Sequence, residues 1–221
     1  MSIAVIGTDT GVGKTVACAV LLARYGRRFP LAYWKPIATG GAEGRDTELV
    51  QRACRGVAQV LPERYLFDPP VSPHLAARLA RVRIDPEKVL EALVAHALED
   101  RDRRLVVEGA GGLLVPLTDA GFLLADLIRD MHLPCLLVAR TAVGTINHTL
   151  LTLEALRARR IEVAGVVLSG PRNLENRRAI QRFGLVDILG EIAPIRPLGR
   201  AGVARAARSF DRRGRLARFF E

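Results

Sequence analysis

Apolar residues in this chain gather in short continuous runs separated by longer stretches of helical spacing. Ile3-Ala4-Val5-Ile6 is the first run, and Val16 to Arg28 follows with apolar positions at helical intervals. Leu31-Ala32-Tyr33-Trp34 is a second run, closed by Lys35-Pro36, where Pro36 stops further ladder pairing. Ile37-Ala38-Thr39-Gly40-Gly41 reads as a flexible, small-residue loop that continues through Glu43-Gly44 to Arg45. A short helix is expected over Glu48 to Ala53. Pro69 to His74 reads as a rigid turn before a helical stretch ending at Leu79. A helix from Pro86 to about Glu99 suits a proline in its first turn. Three further apolar runs, Leu105–Val107, Cys135–Ala139 and Val163–Leu168, read as buried parallel strands. Helices are expected over 144–159 and 175–182, a short strand over 187–189, and a closing helix over 201–219. Strands alternating with helices predict one α/β domain over residues 1–221, a doubly wound, mainly parallel sheet with helices on both faces.

Composition narrows the class. The chain has 221 residues, 49% hydrophobic and 25% charged, which is ordinary for a globular protein. No apolar run approaches the ~20 residues of a membrane span, and no signal-like segment opens the chain. Cys18, Cys54 and Cys135 are odd in number and lie in apolar surroundings, which reads as reduced core cysteines of a cytoplasmic protein. The net charge of +10 raises nucleic-acid binding. Yet the basic residues are spread along the whole chain, which points instead to an arginine-rich surface. The arginines from Arg200 to Arg218 read as a solvated helix face. Lysine occurs only at 14, 35 and 88, so 30 of the 33 basic residues are arginine. A lysine at 14 or 35 therefore suggests a need for a compact point charge.

Chemistry concentrates at Gly7-Thr8-Asp9-Thr10-Gly11-Val12-Gly13-Lys14-Thr15, between the first strand and the first helix. Strand, glycine-rich turn and helix is the setting of a phosphate-binding loop. Its backbone N–H groups and the helix N-terminus attract phosphate. Lys14 would reach the β- and γ-phosphates, and the Thr15 hydroxyl would ligate Mg²⁺. The generic pattern G-x-x-x-x-G-K-[ST] places its first glycine at position 8, which is Thr8; Gly7 lies one residue early. Asp46, just before the short helix, is either an N-cap or a metal ligand, and the cap alone explains it. Glu108 ends a buried strand, where a carboxylate is costly unless paired or metal-bound. Ligands bind beyond such strand ends in open α/β sheets, so Glu108 is placed for Mg²⁺. His74 is either a ligand or a surface residue at a helix start.

Four segments, GTDTGVGKT at 7–15, YWKPIATG at 33–40, VVEGAGGLLVPL at 106–117 and GTINHTLLT at 144–152, resemble those of the dethiobiotin synthetase family, in order. That family shares the one-residue offset in the loop. The resemblance implies conversion of 7,8-diaminopelargonate, CO₂ and ATP to dethiobiotin, ADP and phosphate, through a carbamate and a carbamic–phosphoric mixed anhydride. It implies catalytic roles for Lys14, Lys35 and Thr10, and Mg²⁺ ligation by Thr15, Asp46 and Glu108. It implies nucleotide contacts from Gly11, Val12, Gly13, Lys14, Thr15 and Val16, from Asp46, and from Glu108, Gly109, Ala110 and Gly111. Thr10, Lys35 and Thr39 would contact the diamine. Gly144, Thr145, Ile146 and Asn147 would bind its carboxylate from the partner subunit of a homodimer; a helix N-terminus suits a carboxylate on physical grounds too.

The resemblance loosens after Leu168. Many members carry there an Asn that reads the adenine edge, whereas this chain has Ser169-Gly170. Serine lacks an amide's paired donor and acceptor, so loose selection among nucleoside triphosphates is expected. Pro194 and Ile195 would wall the purine. Two competing readings are a P-loop amidoligase and a partition-type switch ATPase. The first usually needs a glutamine-hydrolysing domain, for which this chain is too short. The second carries an extra lysine early in the loop, where this chain has Asp9.

Overall fold

A computed structural model describes residues 1–41 and 45–221; the loop expected at Glu43 and Gly44 falls outside them. Five strands coincide with the longest apolar runs: β1 (Ile3–Gly7), β2 (Leu31–Trp34), and, after three short strands, β6 (Arg104–Gly112), β7 (Cys135–Arg140) and β8 (Val163–Ser169). Together with β4 (Gln59–Val60) and β9 (Ile188–Ile192) they form a seven-stranded sheet in the order β4-β2-β6-β1-β7-β8-β9. Every pairing in it is parallel. The order reverses around β1, so the segment leaving β1 opens at a switch point of the sheet.

The strands' period of two divides the core. In β1, Ala4 and Ile6 face one side while Ile3 and Val5 face the other. The second side is covered by α1 (Lys14–Tyr25), α2 (Asp46–Ala53) and α8 (Arg200–Ser209). The first is covered by α3 (Pro73–Leu79), α4 (Pro86–Glu99), α5 (Leu124–Asp130), α6 (Thr145–Ala158) and α7 (Leu174–Gly184). Leu21 and Leu22 of α1 and Leu127 and Ile128 of α5 are fully or almost fully buried on their respective sides. Burial of such a side chain contributes about 1.5–3 kcal/mol. Pro86 occupies the first turn of α4, and the Asp85 side chain caps it by accepting from the Glu87 N–H at 3.1 Å.

Several expectations are corrected. The stretch 37–41 is not a plain flexible loop: Ile37–Thr39 forms β3, which pairs in parallel with β5 (Tyr65–Phe67) in a separate two-stranded sheet. Helix α5 was not expected, nor were β4 and β5. The first helix stops at Tyr25, not Arg28, because Gly26 follows and closes its last turn on the Leu22 carbonyl. The closing helix does not run to Phe219. It ends at Ser209, and a short 3-10 turn forms at Ala217–Phe219. Asp211 organises this break. Its buried carboxylate accepts from the Tyr25 hydroxyl (2.6 Å) and from the N–H groups of Arg215 (3.0 Å) and Leu216 (2.7 Å). Phe220 then packs on Tyr25, ring centres 5.6 Å apart. The arginine-rich segment is thus interrupted and tied to α1. All three cysteines are free and buried, as expected.

Candidate active site

The site is built beside the start of α1, where β1 and β2 end and at the middle of β6; that strand runs on to Gly112, so Glu108 lies within it and not at the expected strand end. The register of β2 on β6 sets Tyr33 opposite Val106 and Trp34 opposite Val107. One step further, Lys35 arrives beside Glu108. Period two puts Tyr33 and Lys35 on one face of β2, and Val106 and Glu108 on the same face of β6. That face is the one covered by α1, where Thr15 stands at the second helical position.

Five side chains meet there. The Thr15 hydroxyl lies 2.8 Å from Asp46 Oδ1 and 3.0 Å from Glu108 Oε1. Lys35 Nζ donates to Glu108 Oε1 at 3.0 Å and also to Asp46 Oδ2. The Tyr33 hydroxyl donates to Glu108 Oε2 at 2.9 Å. Glu108 is 1% exposed, Lys35 7% and Tyr33 fully buried. Burial by itself would lower the Lys35 pKa, but the charges and hydrogen bonds of Glu108 and Asp46 outweigh it and hold the ammonium charged. Burial would raise the Asp46 carboxyl, yet Lys35, with help from Thr15 and Lys14, brings its pKa below the usual value. Burial, then the neighbouring Glu108 charge, drives the Tyr33 phenol well upward, so it is a hydrogen-bond donor.

Asp46 is the first residue of α2, not its N-cap; Arg45 holds that position without a side-chain cap bond. The cap reading is corrected, because the carboxylate turns toward Thr15 and Lys35. Thr15, Asp46 and Glu108 present only oxygen donors, the set that suits a hard cation such as Mg²⁺. Among the described residues there is no cluster of three or more His, Cys, Asp or Glu that could hold a metal. Two carboxylates and one hydroxyl suit an ion that takes its remaining ligands from water and phosphate.

The phosphate loop surrounds this centre. Gly13 caps α1 in a left-handed conformation (φ 95°) without a side-chain cap bond, which leaves the first N–H groups of the helix free for an anion. A Cβ at Gly13 would lie 2.5 Å from Ser169 Oγ, so this close approach also requires glycine. Lys14 Nζ is held by the carbonyl oxygens of Asp9 (3.0 Å) and Gly111 (2.7 Å). Burial lowers its pKa; Glu108 counteracts this, and Lys35 adds to the lowering. Thr10 is exposed beside Gly111. Gly109 and Ala110 continue β6 beyond Glu108. Val12 is buried and Val16 half-buried against α1's core, so these two reach a ligand through their backbone alone.

Other expected residues lie apart from this centre. Thr39 ends β3, four residues beyond Lys35. Gly144, Thr145, Ile146 and Asn147 open α6 and line a cavity of about 770 Å³ with Thr141 and Asn176. Thr10, Lys35 and Thr39 are not among the residues lining it. Ser169 ends β8 opposite Ile192, and Gly170 N–H donates to the Ile192 carbonyl at 2.9 Å. Pro194 and Ile195 follow just beyond, with Pro194 exposed and Ile195 packed toward the core. His74 is half-buried in the first turn of α3, outside the centre, and its Nδ1 has no partner among the described residues. Two contributors escape a sequence reading. Tyr33 looks like one more apolar strand residue, although its spacing of two from Lys35 is a signal. Arg140 donates to Asp9 Oδ2 at 3.0 Å and ties β7 to the phosphate loop; nothing marks it among so many arginines.

A seven-stranded parallel sheet with a glycine-rich loop leaving its central strand for a helix defines a P-loop nucleoside-triphosphatase fold. Solved structures agree. A ParA family ATPase from Chlorobium tepidum matches with a TM-score of 0.58 at 10% identity, covering 93% of this chain and 97% of that one. The MinC:MinD cell division protein complex of Aquifex aeolicus matches with 0.61 at 14%, covering 96% and 94%. At such identities these show the fold alone. An AAA domain family model matches residues 1–201. The ATP-dependent dethiobiotin synthetase BioD of Paramagnetospirillum magneticum is 46% identical over 90% of this chain and 91% of its own length. That of Agrobacterium fabrum is 49% identical over 84% and 82%. The chain belongs to the dethiobiotin synthetase family, and the partition-type reading is not favoured.

Proposed function

We propose that the chain is an ATP-dependent dethiobiotin synthetase, closing the ureido ring of dethiobiotin from 7,8-diaminopelargonate and CO₂ in biotin biosynthesis. The observation that carries this reading is the 46–49% identity to dethiobiotin synthetases across most of both chains. One substrate amine adds CO₂ and becomes a carbamate. A carbamate oxygen attacks the γ-phosphorus of ATP and ADP departs. The second amine then attacks the carbonyl carbon of the mixed anhydride, and phosphate leaves as the ring closes.

Every reacting group on that path is anionic or becomes so, so positioned positive charge is the main requirement. Lys14, held by two carbonyls, supplies charge at the β- and γ-phosphates and the carbamate. Lys35 supplies it at the carbamate and the developing anhydride. The free N–H groups from Gly11 to Val16 cradle the phosphates. Mg²⁺ would be held by Thr15, Asp46 and Glu108, where it supplies neutralisation of phosphate charge. Thr10 and Thr39 contact the diamine, and Gly109, Ala110 and Gly111 let the nucleotide approach the backbone. Ser169, Gly170, Pro194 and Ile195 flank the purine.

The enzyme acts as a homodimer in this reading. The segment Gly144–Asn147 lines a cavity separate from the lysines of its own chain, which supports carboxylate binding across subunits. The protein works as a single domain in the cytoplasm; among the described residues no helix is long and apolar enough to cross a membrane. The deciding experiment is phosphate release from MgATP and bicarbonate with and without 7,8-diaminopelargonate, with mass analysis of the product. Release that depends on the diamine and yields dethiobiotin is expected. Release indifferent to the diamine would refute the substrate assignment.

A further inference from the structure

Two carboxylates meet at the candidate metal centre, and an ammonium already sits between them. Lys35 Nζ contacts Asp46 Oδ2 and lies 3.0 Å from Glu108 Oε1. The Thr15 hydroxyl points at the other Asp46 oxygen and at the same Glu108 oxygen. Tyr33 occupies Glu108 Oε2. The outward oxygens of both carboxylates are therefore shared between Thr15 and one positive charge. A carboxylate as buried as Glu108 needs such a charge, because an unpaired buried anion is strongly destabilising. The residue type is informative as well. This chain uses arginine for 30 of its 33 basic residues, yet a lysine stands here. An ammonium is a compact point charge, as a metal ion is, whereas a guanidinium is a planar fork.

We propose that Lys35 is the resident counter-ion of the metal centre, so that a divalent cation and the Lys35 ammonium compete for Asp46 and Glu108. This rests on the reading of Thr15, Asp46 and Glu108 as the metal ligands. The ammonium satisfies both carboxylates and keeps Glu108 paired. A cation at the same carboxylates takes over that role and repels Lys35. The released side chain is then free to turn toward an anionic substrate group beside the phosphate loop. Coupling between two ligands is reciprocal, so an anion that draws Lys35 away strengthens cation binding by the same factor. One lysine thus pairs the two carboxylates when no cation does and serves the substrate when one does.

Mn²⁺ binding without nucleotide tests this, read from the electron paramagnetic resonance signal of free Mn²⁺. Wild type, Lys35→Met, Lys35→Gln and Glu108→Gln are compared. Both lysine variants are expected to bind Mn²⁺ at least tenfold more tightly than wild type, although they turn over poorly. Their melting temperatures should also rise more with Mn²⁺. Glu108→Gln should bind it more weakly. If Glu108→Gln weakens binding while neither lysine variant strengthens it, the competition is refuted and the metal site stands. If Glu108→Gln leaves binding unchanged, the metal-site reading falls and takes this inference with it. A wild-type measurement avoids any dependence on variant folding. With lysines only at 14, 35 and 88, ¹³Cε-lysine labelling gives three side-chain signals. Saturating Mg²⁺ should move the Lys35 signal and leave that of Lys88 in place; an unmoved Lys35 signal overturns the proposal.

Discussion

Replacing Asp211 with alanine removes one carboxylate and strands donors from two parts of the chain. The Tyr25 hydroxyl on α1 and the Leu216 N–H bond to it in buried surroundings, and the Arg215 N–H bonds at a partly wet position. Water replaces the Arg215 bond, so the cost falls on the two buried donors. A stranded buried donor costs about 1–3 kcal/mol, which gives about 4 kcal/mol for the pair. Relief from burying a charge returns part of this, so the net loss is about 3 kcal/mol. For a protein of this size each kcal/mol shifts the melting temperature by about 2–4 °C, so Asp211→Ala should melt roughly 6–12 °C lower. Calorimetry gives the shift, and urea unfolding followed through Trp34, the single tryptophan, gives the free energy. Asp211→Asn keeps an acceptor and should lose about half as much. A fall of less than about 2 °C for the alanine variant would refute the view that this carboxylate holds the C-terminal segment on α1.

Lys35→Ala should reduce turnover at least ~100-fold, the scale of losing one transition-state charge contact, while leaving ATP binding within a few-fold of wild type by calorimetry. Near-normal turnover would remove Lys35 from the mechanism. Glu108→Ala should raise the Mg²⁺ concentration for half-maximal activity at least tenfold; an unchanged titration would count against ligation. Ser169→Asn should increase the preference for ATP over GTP, measured as a ratio of kcat/KM values, because an amide adds a paired donor and acceptor. Burial raises the Cys54 thiol from 9.0 to about 11. The unfolded chain then loses this proton first, so the stability it confers is complete below pH 9 and is lost as pH rises to 11. The loss is about 3 kcal/mol in total. Urea unfolding across that range should show a shallower decline in Cys54→Ala.

Legibility followed the length of the signal. Strands such as Leu105–Val107 and Cys135–Ala139 are continuous apolar runs, and burial on both faces leaves that pattern in any sequence that forms them. The start of α4 was readable because Pro86 suits a first helical turn. The short strands β3, β4 and β5 have two or three residues, too few to display any period. Helix α5 hides in Leu123-Leu124-Ala125-Asp126-Leu127-Ile128, where a buried helix and a buried strand look alike. The helical pattern after Ala201 runs on past its true end, because Asp211 stops it through a hydrogen bond to a tyrosine 186 residues away. In the site, Lys14, Thr15 and Glu108 were legible from local context. The side-chain direction of Asp46 was not, since a cap and a ligand look the same until Lys35 is placed beside it. Tyr33 needed the β2–β6 register, and Arg140 needed the fold.

Pro36 passes the chain from the large sheet to the small one, and the residue on each side of that corner has a different owner. Lys35 directly follows β2 of the seven-stranded sheet, while Thr39 ends β3 of the two-stranded sheet. The backbone N–H groups of Arg64 and Tyr65 both bond to the Pro36 carbonyl at 2.9 Å, so the corner itself is pinned. In the proposed reading, Lys35 and Thr39 are thus set against one substrate by two sheets joined at a pinned corner. Ile37 and Phe67 bury in the same core as Ile6, Trp34 and Val107, so a substitution at Phe67 also bears on the strands that register Lys35 against Glu108.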